Sequence, residues 1–160
     1  MLEKIKFTTK LKMFWSLIYI FKYDKFMKKE AYLDAYFEIN NISQDVIEIG
    51  FFRYSLYKGY AAFQLGSYDE TLLLFEESIS LIHIAYSRNM INNDERDFLK
   101  EYAFGFLITI NKVDKEFVKV DLYTKELQKL EYDIRKIRNG MFYDFPFLIG
   151  DKWDNERERR

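Results

Sequence analysis

The chain has no cysteine, one proline, six glycines and a single histidine among its 160 residues. Without cysteine there is no disulfide framework, no thiolate nucleophile and no cysteine-based zinc site. Metal or acid–base chemistry would fall to carboxylates, Tyr, Lys and His83 alone. The shortage of proline and glycine removes most helix breakers and favours long helices. A chain of this length buries a sizeable core without staples, so one all-helical domain is expected over residues 1–150, with a charged tail over 151–160. The missing cysteines are compatible with a cytoplasmic location.

Aromatic residues make up 19% of the chain and charged residues 32%. The first points to a core rich in Phe and Tyr, the second to a soluble surface. The abundance of Lys, Asn, Ile, Tyr and Phe also matches translation of an AT-rich genome, which discounts the aromatic count as a functional signal.

Net charge is −1, unevenly spread. Residues 1–30 hold eight lysines against Glu3, Asp24 and Glu30, whereas residues 31–100 hold eleven acids against five bases. A basic arm therefore precedes an acidic middle, and no basic footprint covers the whole chain, so nucleic acid is not expected as a partner. Lys4, Lys6, Lys10 and Lys12 precede the apolar run Met13–Phe21. That run is too short to span a bilayer, and no small-x-small cleavage site follows. Its ordinary reading is a first helix buried in the core; peripheral membrane contact through residues 1–22 is the alternative, because Phe14 and Trp15 beside lysines suit an interface.

Apolar periodicity and stop signals place five or six helices. The first runs over Thr9–Tyr23, and the second over Asp24–Ile39, burying Phe26, Tyr32, Leu33, Tyr36 and Phe37. Ser43 caps a third that continues unbroken through Val46, Ile49, Phe52, Leu56, Tyr60 and Phe63 to Gly66. Ser67 and Glu70 have the spacing of a capping box opening a fourth helix to Asn89. Asp94 caps a fifth carrying Phe98, Tyr102, Phe106 and Ile110. A sixth over Lys115–Asn139 carries a coiled-coil-like seam, Leu127, Leu130, Ile134, Ile137 and Met141, supported by Glu126–Lys129 and Glu131–Arg135 pairs and stopped by Gly140.

Gly59, Ala61, Leu65, Gly66, Tyr68, Phe75 and Leu81 carry the most specific pattern. Gly59 allows two helices to approach, Gly66 makes the turn between them, and Tyr68 and Phe75 fill the space from the second helix. Over residues 52–85 this resembles a tetratricopeptide repeat, departing from it at Ser55, Thr71, Ser78 and His83. The resemblance implies an all-α fold of antiparallel helical hairpins, either a tetratricopeptide-like right-handed superhelix or a compact bundle of 5–6 helices. A second pair is drawn over Glu95–Leu130, with Gly105 in the place of Gly59. Repeats of this family bind proteins on a concave face built by first helices. Here that face would draw on Arg53, Tyr57, Lys58, Tyr60 and Gln64.

No catalytic residue, cofactor site or metal site is expected. His83 lies in an apolar run, where it reads as a partly buried side chain. Glu76–Glu77 and Asp94–Glu95 read as helix-start acids and solvated surface. Arg135 to Tyr143, with Arg138–Asn139, resembles the end of the last helix in HEPN-type ribonucleases, but Tyr143 stands where their His would be. The leading expectation is a non-catalytic module, an adaptor or scaffold, whose partner is another protein or peptide. A bacterial immunity protein that neutralises a basic toxin is the alternative.

Overall fold

A computed structural model of the chain describes residues 5–138. Seven helices occur among them: α1 (Phe7–Lys28), α2 (Tyr32–Ile39), α3 (Gln44–Glu48), α4 (Arg53–Gln64), α5 (Tyr68–Ser87), α6 (Asn93–Val113) and α7 (Phe117–Gln128). A single 3-10 turn, Ile134–Lys136, follows. No strand is present among the described residues, and the fold is all-α. Packing follows chain order, α1 on α2, α2 on α4, α4 on α5, α5 on α6 and α6 on α7, with α3 bracing α1. The result is a row of three antiparallel hairpins.

Four helices end on the same backbone device, in which one residue turns left-handed and the two N–H groups around it fold back onto the last turn. After α4 this residue is Gly66, with Ser67 N–H reaching the Ala62 carbonyl at 2.9 Å. After α1, α5 and α6 it is Glu30, Asn89 and Lys115, with φ of 57, 56 and 59°. A side chain in that region costs about 1–2 kcal/mol. Lys115→Gly is therefore expected to stabilise the fold by roughly 0.5–1 kcal/mol, less than the full strain because glycine also loosens the unfolded chain. Thermal melts of the two proteins read the difference; an unchanged or lower midpoint would count against it.

The core runs through every hairpin: Tyr23 from α1, Ile39 from α2, Leu56 and Tyr57 from α4, Phe75 and Ile82 from α5, and Phe98 and Leu107 from α6 are all buried. Tyr23 stacks on Tyr57 with ring centres 5.0 Å apart and donates its hydroxyl to the Tyr57 carbonyl at 2.8 Å. Burial, with Tyr57 nearby, pushes the Tyr23 pKa well up, so the ring stays neutral. In the central hairpin a Cβ on Gly59 would lie 3.2 Å from the Phe75 ring, which is how closely α4 and α5 approach. The small polar residues at that interface are satisfied within their own helices. Thr71 Oγ1 donates to the Ser67 carbonyl at 2.8 Å, Ser78 Oγ to that of Phe75 at 2.7 Å, and Ser55 Oγ to that of Phe52 at 3.3 Å.

Several expected boundaries move. The first helix does not end at Tyr23: α1 continues to Lys28 and stops at Glu30. In α2 the buried residues are Ala35 and Ile39, whereas Leu33 and Phe37 are exposed. The third expected helix is two, broken at Gly50, which has φ of +100°. The capping box expected at Ser67 does not form. Ser67 has ψ of 69°, not the extended value that aims a cap side chain at the next turn, and Glu70 instead accepts from Tyr36 Oη. A capping box does open α6, but on Asn92 rather than Asp94: Asn92 Oδ1 accepts from Glu95 N–H at 2.8 Å, and Glu95 Oε2 from Asn92 N–H at 2.9 Å.

The largest correction concerns the coiled-coil seam. Helix α7 ends at Gln128, so Leu130, Ile134 and Ile137 do not continue it. Residues 131–138 instead cross α6 as a strap whose N–H groups are taken by the acids of α6. Asp97 accepts from Glu131 N–H at 3.3 Å, Asp94 from Asp133 N–H at 2.6 Å and Glu95 from Arg138 N–H at 3.1 Å. Ile137 of the strap is buried. Glu126 pairs with Lys129 at 2.6 Å as expected, but Arg135 turns to Asp133 rather than Glu131. Gly140, Met141 and the tail over 151–160 lie outside the described residues.

Candidate functional site

Helix α4 sits between α2 and α5, so its surfaces are the natural place to look for a partner face. The five residues singled out on it do not share one. Tyr57 is buried against Tyr23 and belongs to the core, a correction that follows from the α2 and α1 packing on that side of the helix. Lys58 and Tyr60 are two positions apart, which sets them on different sides of the helix. Arg53, Tyr60 and Gln64 recur at steps of seven and four and do share one side.

On the Lys58 side, the ammonium lies 5.0 Å from the centre of the Tyr36 ring and 5.4 Å from that of Tyr54. It donates to Tyr54 Oη at 3.3 Å and stands 3.9 Å from Glu70. Burial alone would lower the Lys58 pKa, but the Tyr54 bond and the neighbouring Tyr36 and Glu70 hold it raised. Lys58 is thus a permanent cation enclosed by aromatic rings and bridged to α2 and α5. It has no free proton-acceptor form at neutral pH with which to act as a base.

On the other side, aromatic residues from three helices form a continuous ridge. Tyr60 meets Phe106 of α6 edge-on at 6.0 Å, Phe106 meets Phe63 at 5.3 Å, and Phe63 meets Tyr68 of α5 at 5.7 Å. Below them Phe106 stacks on buried Phe75 at 4.5 Å, which fixes the ridge to the core. Tyr60, Phe63 and Phe106 are half-buried and Tyr68 is exposed. Gln64 neighbours the Tyr60 hydroxyl, and Arg53 lies over the Phe52 ring at 5.0 Å. The sequence pattern singled out Tyr60 but not Phe106 beside it, because nothing in local spacing reports that α6 crosses there.

The remaining candidates for chemistry are dispersed. No group of three or more His, Asp or Glu side chains able to hold a metal occurs among the described residues. His83 is exposed rather than partly buried in an apolar run; desolvation, then Lys100 and Arg96, lower its pKa and favour neutral imidazole. Arg138 is bound to Glu95 at 2.6 Å and to the Met90 carbonyl at 2.8 Å, so its guanidinium acts as a strut for the strap. Asn139 and Tyr143 lie outside the described residues. The acidic middle is also less open than composition suggests, since Asp94, Glu95 and Asp97 all bind the strap, as does Glu101 just beyond it. Gly105, placed by the sequence where a close helix contact was expected, is exposed with open space around it.

Compared with protein-family models, curated proteins and solved structures, the chain matches none.

Proposed function

We propose that this chain is a non-catalytic protein–protein interaction module, a tetratricopeptide-like adaptor or scaffold whose partner-binding face is the aromatic ridge on α4 and α6. The observation that carries this reading is the run of rings Tyr60, Phe106, Phe63 and Tyr68, open to solvent above and held by Phe75 below. Such rings bury large area at little cost in rotamer entropy, and their positions are set before a partner arrives. Arg53 and Gln64 add polar groups on the same side as Tyr60. A short peptide or a helix from a partner protein suits a ridge of this kind, with the aromatic cluster as the anchor.

The test is selection of peptides from a displayed random library by the full-length protein, followed by titration of the selected sequences against variants. Tyr60→Ala and Phe63→Ala are each expected to weaken binding by about 1–2 kcal/mol, roughly tenfold or more in Kd, and Gln64→Ala by much less. Selected peptides whose affinity is indifferent to Tyr60 and Phe63 would rule out the ridge as the binding face.

A further inference from the structure

Helix α1 is apolar on two opposite sides. Ser16, Ile20, Tyr23 and Met27, spaced at four, three and four, are its buried face. Phe7, Leu11, Phe14, Ile18 and Phe21 follow the same rhythm half a turn away and point outward. Phe7 is 79% exposed, Phe14 60% and Phe21 67%, with Trp15 beside them at 52%. An ordinary surface helix carries polar residues there. The expectation of a first helix simply buried in the core therefore holds for one face only.

The charge around this stripe is mainly positive. Five lysines lie in α1 against a single acid, Asp24. Helical spacing puts Lys10, Lys22, Lys25 and Lys28 beside the apolar stripe and Asp24 away from it. Lys12 turns aside to pair with Asp45 of α3. At the end of the helix a groove of ≈ 340 Å³ is lined by Lys22, Lys25, Lys29, Phe26 and Glu38. Among the described residues Lys22 pairs there with Glu38 at 3.5 Å.

We propose that the outer face of α1 docks on an anionic lipid bilayer, lying in the interface with Phe7, Leu11, Phe14, Trp15 and Phe21 in the acyl boundary and its lysines on lipid phosphates. Apolar rings flanked by lysines are what such a surface takes up, the long stems reaching back to the headgroups. The groove gathers three ammonium groups at the depth of those headgroups. A second copy of the chain fits the face poorly, because antiparallel or parallel pairing through α1 sets lysines against lysines with no acids on the stripe to answer them. No described helix is long and apolar enough to cross a membrane, so the contact is with the surface. The inference stands apart from the ridge on α4 and α6, which lies on other helices.

The test uses the full-length protein with Trp153→Phe, leaving Trp15 as the only tryptophan. It is titrated with vesicles of phosphatidylcholine alone or mixed equally with phosphatidylglycerol. With the anionic vesicles, Trp15 emission is expected to shift to the blue and become shielded from acrylamide, with affinity at least about tenfold above that for neutral vesicles. Salt near 1 M, which shortens screening to about 3 Å, should remove most of that preference. Phe14→Glu, and separately Lys10→Glu with Lys25→Glu, should abolish binding while circular dichroism and the melting midpoint stay near those of the parent, since these side chains are exposed. Three results overturn the proposal. One is the absence of any shift with anionic vesicles. Another is Trp15 already shielded before lipid is added, meaning that the chain covers its own stripe. The third is a concentration-dependent dimer in sedimentation that Phe14→Glu dissolves, without vesicle binding.

Discussion

Gly50→Ala is expected to destabilise the protein by about 3–4 kcal/mol, enough to unfold a large fraction of a domain of ordinary stability. Two independent costs combine. The residue has φ of +100°, a region closed to L side chains, and it makes the corner between α3 and α4. A methyl group there would also sit 2.7 Å from the Ala85 backbone nitrogen and 3.1 Å from the Ala85 Cα in the last turn of α5. Helix backbone does not yield as a long side chain would, so the clash is relieved only by a shift between the corner and α5. Both costs act at once because the corner and α5 are pressed together.

Gly66 supplies the control. It is also left-handed, at +76°, but a Cβ there meets nothing within 4 Å. Gly66→Ala should therefore cost only the conformational term, about 1–2 kcal/mol. Urea unfolding followed by circular dichroism measures both. Equal losses would mean that conformation alone matters at Gly50 and that the contact with α5 is compliant.

The two glycines also show how far the sequence could be read. Gly66 follows an apolar face and precedes Ser-Tyr-Asp-Glu, a local pattern that announces a turn, and the turn is there. Gly50 sits inside a face whose three-and-four rhythm passes straight through it, from Val46 to Phe52 and Leu56. The rhythm survives because Val46, Phe52 and Leu56 are all buried on either side of the corner, so periodicity reads two helices as one. What requires the corner is α5, distant in sequence. Glu30 and Lys115 were harder still, since neither residue type favours the left-handed turn it occupies. The all-α class and the central hairpin were legible because they rest on local signals. At the candidate site Tyr60 and Gln64 were named through the resemblance to a tetratricopeptide hairpin, whereas the inward turn of Tyr57 and the approach of Phe106 depend on which helices flank α4. The strap was misread for the opposite reason: Leu127, Leu130, Ile134 and Ile137 keep a helical rhythm, yet the acids of α6 capture the backbone N–H groups that a helix would have used.

That capture centres on Glu95, whose side chain is fully buried while its partner Arg138 is 62% exposed. Removing the two partners should accordingly have unequal effects. Arg138→Ala leaves a buried carboxylate with only the N–H groups of Asn92 and residue 138, and is expected to cost about 3 kcal/mol. Glu95→Gln leaves an arginine already in water and an amide that still accepts at Asn92, so it should cost clearly less. The pair also sets a pH response. Burial works to raise the Glu95 pKa, but bonds from Arg138 and from the two backbone N–H groups outweigh it and hold the value below the ordinary carboxylate range. A carboxyl depressed in the fold stabilises it fully above its unfolded pKa, near 4.3, and that stability drains away as pH falls through the folded value. Without Arg138, burial is less opposed and the folded pKa rises towards or past the unfolded value, so the stability that acid removes through this carboxyl shrinks. Urea unfolding of the parent, Arg138→Ala and Glu95→Gln at neutral pH and at pH values down to about 3 reads both effects. The expected pattern is a larger loss for Arg138→Ala than for Glu95→Gln at neutral pH, with the acid limb flattened in both relative to the parent. Equal losses with unmoved acid limbs would show that the strap is held by Ile137 and its other backbone bonds, with the ion pair incidental.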